Sequence, residues 1–128
     1  MHFAYSPASI ADIGLHVFPI EKYRLVAQSL RELHHIPQSA FVEPEPATRE
    51  QLLRVHTEQY LDDLEHCRST ERTMQSELPL SPHIVSMFVL ACGGTILAAE
   101  LALDEGAAVH IGGGFHHAFA EKLKVFAT

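Results

Sequence analysis

The stretch Ala107 to His117, AAVHIGGGFHH, limits most sharply what this chain can fold into. Residues 107–111 are small or β-branched with little polarity, which predicts a buried parallel strand. Gly112, Gly113 and Gly114 then allow a sharp turn without Cβ clashes. Upstream, Ser81-Pro82 opens a long helix in the favoured order, a hydroxyl N-cap followed by proline. Its apolar residues, from Ile84 to Leu103, lie nearly all round, which predicts a buried helix against a sheet. Gly93 and Gly94 inside it suit close packing rather than a hinge, and Asp104-Glu105-Gly106 closes it with a glycine C-cap. Helix, strand and glycine turn make a βαβ-type unit within a layered α/β fold. Ligands of open α/β sheets lie at the C-terminal strand edge, so His116 and His117 there suggest proton transfer or metal chemistry. The residues alone leave open a packing role for the pair. The glycines lack the Lys-Ser/Thr of a P-loop, which argues against nucleotide binding.

Earlier in the chain, Phe3 to Tyr5 is predicted as a first strand ended by Ser6-Pro7. From Ile20, the spacing of Tyr23, Val26, Ala27, Leu30 and Leu33 predicts a helix with one apolar face, ended by Pro37. His34 and His35 fall at its C-terminal end, where the helix dipole favours a partly protonated imidazole. Ala40 to Val42 reads as a second strand, followed by the stiff connector Glu43-Pro44-Glu45-Pro46. Thr48 with Gln51 resembles a capping box, and Thr57 caps the next helix, which carries Tyr60, Leu61 and Leu64. His56 between them reads as a hydrogen-bonded spacer. Cys67 to Glu77 is polar and aperiodic, as in an exposed loop.

Composition narrows the function classes. A length of 128 residues suits one domain with a single core. The formal net charge of −7, with nine scattered Lys and Arg, argues against a nucleic-acid binder. No segment is expected to reach the uninterrupted apolar length of a membrane span. The N-terminus lacks the basic and apolar regions of a signal peptide, and two distant cysteines, Cys67 and Cys92, suit a reducing compartment. A cytoplasmic location is expected.

Three blocks, HVFPIEKYR from His16, EPEPATREQLLRVHTEQYLDDL from Glu43, and GGTILAAELAL through GGGFHHAF from Gly93, resemble the histone deacetylase family in family order. The likeness is nearest to its class IV and bacterial deacetylase-like members. It implies the arginase/deacetylase fold, a three-layer αβα arrangement around a parallel sheet, with residues 1–128 as the N-terminal part of one catalytic domain. It also implies a bound Zn²⁺ in the intact family and hydrolysis of an acylated lysine or polyamine. By the same resemblance His117 is the general base and His116 its charge-stabilising neighbour. Gly114 belongs to the glycine segment beneath them, Arg24 matches the arginine near an internal channel, and Glu77 is the nearest candidate for an acidic rim residue.

The chain departs from the family after the histidines. The family's Asp and His metal ligands and its transition-state tyrosine lie downstream, whereas Glu121 is the last acidic residue here and no tyrosine follows His117. No metal ligand is therefore assigned, and the chain alone is expected to be inactive. Phe126 falls at the offset of the phenylalanine in the family's Gly-Phe-Cys segment. Codons for Glu-Gly-Phe-Cys-Tyr read one base late give Lys-Val-Phe-Ala-Thr, the residues Lys124 to Thr128, as expected of a frameshifted relative. A sheet cut short at 107–111 leaves an open edge, which predicts self-association as a homo-oligomer. A non-catalytic, self-associating fragment is thus the alternative to the enzyme reading.

Overall fold

The computed structural model describes residues 1–14, 18–76, 78–114 and 117–124; of His117, Leu123 and Lys124 only the backbone is described. Strand β1 (His2–Ala4) is central in a parallel sheet, with β2 (Phe41–Val42) on one side and β3 (Ala108–His110) on the other. Phe3 lies opposite both Phe41 and Val109, and Ala4 opposite Val42 and His110. Strand alternation sorts these residues into two layers. Phe3, Tyr5 and Ile111 pack with Ala27, Tyr23 and Leu30 of helix α1 (Lys22–Glu32). Ala4, wholly buried, and His110 face helix α4 (Pro82–Glu105) on the opposite side. The fold is α/β, with α1, the sheet and α4 as its three layers.

Helix α4 begins and ends as its sequence dictates. Ser81 Oγ accepts from the Ile84 N–H, Pro82 occupies the first turn, and Gly106 closes the helix with φ 87°. Its burial is incomplete: Ile84, Met87, Leu90, Ala91, Gly93 and Gly94 are buried, whereas Leu103 is exposed. Ile84 and Met87 join Ile13, Ile20 and Leu78 in a second core cluster. The expectation of a helix buried nearly all round is therefore corrected, and so is the expectation about membrane-spanning length. By length and composition alone, α4 is apolar enough to cross a bilayer. Its interruptions are Gly93, Gly94 and Thr95, residues that pack here against a loop and a strand.

Strand β3 is shorter and less buried than 107–111 predicts, with Val109 40% exposed. Among the described strands it pairs with β1 alone, so only one of its edges is covered. In α1, Val26 and Leu33 are exposed instead of lying on the apolar face. Thr48 and Gln51 form the capping box of α2 (Arg49–Leu53), and Thr57 caps α3 (Glu58–Glu65).

The segment after α3 is more ordered than an exposed loop. Residues Thr73–Ser76 form a 3₁₀ turn in which Thr73 and Ser76 are buried. Asp63, itself 4% exposed, gathers it: Arg72 donates to its carboxylate at 2.8 Å and Thr70 at 3.1 Å, with Arg68 at 3.6 Å. A buried charge persists only when paired, and a polar sequence here supplies the partners rather than a solvated surface.

Candidate active site

Because the three strands are parallel, Ser6, Glu43 and Ile111 all leave the same edge of the sheet. Ser6 Oγ donates to Glu43 Oε1 at 2.6 Å, joining the exits of β1 and β2. The chain steps from β1 to β2 on one side and then crosses to β3 on the other. The crevice between β1 and β3 is thus the switch point of the sheet, and the glycine turn opens there.

His110, the last residue of β3, fixes how the turn meets α4. Its Nδ1 lies 3.2 Å from Thr95 Oγ1, and Thr95 Oγ1 lies 3.2 Å from the Ala91 carbonyl. The single hydroxyl proton of Thr95 goes to that carbonyl, so Nδ1–H of His110 donates to Thr95, and Nε2 carries the lone pair. Burial holds the imidazole below its ordinary pKa. A Cβ on Gly94 or Gly112 would overlap the His110 ring, and one on Gly93 would collide with the Glu45 carbonyl. The paired glycines of α4 therefore serve packing, one against a loop and one against a strand.

Past the glycines, β4 (His117–Ala118) pairs antiparallel with β5 (Leu123–Lys124). This hairpin carries His117 and is tied to the α2–α3 junction: Thr57 N–H donates to the Ala120 carbonyl at 2.9 Å, and His56 Nδ1 lies 2.9 Å from the Phe119 carbonyl, as its donor. His56 is thus a hydrogen-bonded spacer, bonding across the chain. Its ring lies 5.4 Å from that of Tyr60, whose hydroxyl burial pushes up to about 12; burial raises the Cys92 thiol as well.

Residues 16–127 match the family profile of the histone deacetylase domain. This chain belongs to the histone deacetylase family. Histone deacetylase 2 of Arabidopsis thaliana is 37% identical over 115 residues, covering 84% of this chain and 30% of that protein. An uncharacterised protein of Picosynechococcus sp. is 36% identical over 107 residues, covering 81% of this chain and 35% of its own length. Among solved structures, a histone deacetylase homologue complexed with SAHA superposes with a TM-score of 0.63 at 28% identity. The homologue from Aquifex aeolicus gives 0.61 at 29%. Each covers 77% of this chain, which spans 29% of theirs. The chain therefore spans about a third of the length of its relatives.

Against this family, the structure places the sequence-derived site residues unevenly. His117 opens β4, and Gly114 is an exposed residue at the end of the glycine turn. His116, Glu77 and Phe126 lie outside the described residues. Arg24 lies on the exposed face of α1, where its Nε donates to Glu21 at 2.8 Å. A helix-face arginine with an acid three residues earlier finds that partner locally. Sequence reasoning passed over His110 and Tyr60. Both stand at positions where a polar group faces a helix with small residues opposite, a pairing visible only once Gly94 and Cys92 are brought across from α4.

A zinc site needs three converging protein ligands with one position open. Among the described residues no three His, Cys, Asp or Glu side chains converge in that way, so these donors do not fit the group.

Proposed function

We propose that this chain supplies the proton-handling part of a deacetylase domain acting on acetyl-lysine or acetylpolyamine amides. The observation that supports this reading is the family match over residues 16–127, together with the hairpin that carries His117 and is anchored to the α2–α3 junction. An imidazole titrating near neutrality accepts a proton from the attacking water and returns it to the leaving amine. His117 takes that role, and His116 stabilises the charge developing beside it. Zinc is the metal of the intact family, but no step is assigned to it, because the described donors do not hold it.

A chimera tests the proposal. Residues 16–127 replace the matching third of the Arabidopsis relative, and turnover is measured on an acetyl-lysine peptide. Activity that falls at least about 100-fold on His117→Ala, the usual scale of general-base loss, is the expected result. A chimera that binds zinc and folds yet is indifferent to His117→Ala overturns it.

Among the described strands β3 pairs with β1 alone, and that favours a second reading, a fragment that self-associates without catalysis.

A further inference from the structure

Between α3 and α4, beneath the β4–β5 hairpin, lies a cleft of about 120 Å³. Leu61 and Leu64 of α3 face Phe88 and Val89 of α4 across it, and Gly114 and Ala118 border its hairpin end. Among the described residues no carboxylate, lysine or arginine lines it. Its deeply buried polar group is Tyr60, 3% exposed, whose hydroxyl makes no hydrogen bond among the described residues. A buried tyrosine ordinarily finds a partner for that group, and here the hydroxyl is not closed off from solvent, so a ligand in the cleft can reach it. Cys92, the nearest polar neighbour on α4, offers only a weak thiol.

We propose that this cleft binds a small uncharged ligand, an apolar body of about phenol's size with one oxygen that hydrogen-bonds the Tyr60 hydroxyl. Size and lining both point there. Cavities of about 150 Å³ walled by aliphatic and aromatic side chains take up benzene, and the apolar walls here would leave a charged ligand desolvated and unpaired. The Tyr60 hydroxyl then supplies the selectivity, because a ligand oxygen can bond a hydroxyl that makes no hydrogen bond among the described residues. Occupancy also bears on the histidine hairpin. The ligand would rest against Ala118, the neighbour of His117, and against His56, which holds the Phe119 carbonyl. This inference does not depend on the deacetylase reading.

The test is an NMR titration of the full chain with phenol, toluene and benzoate, following the amides of Leu61, Leu64, Val89 and Ala118. Phenol should saturate these shifts at a concentration about three- to tenfold below toluene, the range of one hydrogen bond. Benzoate should leave them unmoved. In Tyr60→Phe the preference for phenol over toluene should vanish while toluene binding persists. Three outcomes contradict the proposal: no saturable shift with phenol or toluene, benzoate binding as tightly as phenol, or an undiminished phenol preference in Tyr60→Phe. The wild-type comparisons decide the matter even where that variant does not fold.

Discussion

At the scale of single residues, His110 joins three parts of the fold. Its ring occupies the space that side chains on Gly94 and Gly112 would need, while its Nδ1 meets Thr95. Gly94→Ala should therefore destabilise the chain by about 1–3 kcal/mol, the usual scale of overpacking. Because the obstacle is a side chain, the double variant Gly94→Ala/His110→Ala should lose measurably less than the sum of the two single changes. Gly93→Ala meets the Glu45 backbone and should gain no such relief. Urea denaturation midpoints across the set decide this, and strict additivity for Gly94 and His110 would show that the ring is not the obstacle. The sequence presented Gly93-Gly94 as a packing pair but could not say what packs, since His110 lies sixteen residues beyond Gly94 and reads as an ordinary strand residue.

Among the elements, those with strong local signals were legible. Ser81-Pro82 and Gly106 bound α4 because caps act within a turn of the chain, and Thr48 and Thr57 start α2 and α3 for the same reason. What local pattern could not convey was tertiary placement. Val109 is apolar yet exposed because β3 pairs on one side only among the described strands, and residues 68–76 look like a loop although Asp63 gathers them. The Asp63 cluster makes this a matter of pH. Hydrogen bonds from Arg72 hold its carboxyl below the usual carboxylate range, so the folded state resists protonation more than the unfolded chain does. That stabilisation is complete above the ordinary carboxylate pKa and is lost as pH falls through the lowered folded value. Stability measured by urea denaturation should drop along an acid limb that is shallower in Asp63→Ala than in the wild type. Parallel limbs in the two proteins would mean that the carboxylate does not hold the segment.

For the whole molecule, the motif, the layers and the family all emerge from residues 93–119 together with the two earlier blocks, and the α/β architecture agrees with them. The site is less complete than the fold. The tandem histidines were plain in the sequence, whereas Arg24 was assigned by position in a motif, and in the structure it is an exposed helix residue paired with Glu21. The edge of β3 left unpaired among the described strands carries its own consequence. Sedimentation velocity over a range of concentrations should show reversible self-association, and a lysine at Val109, on the exposed edge strand, should weaken it. A monomer at every concentration would remove the second reading. The most direct measurement for the first is zinc content and acetyl-lysine turnover of the purified chain beside its His117→Ala variant. Substoichiometric zinc and no turnover in either protein are expected if, as proposed, the histidines handle the proton while metal ligands, which do not converge among the described residues, come from elsewhere. One zinc per chain, with turnover abolished by His117→Ala, would contradict that account.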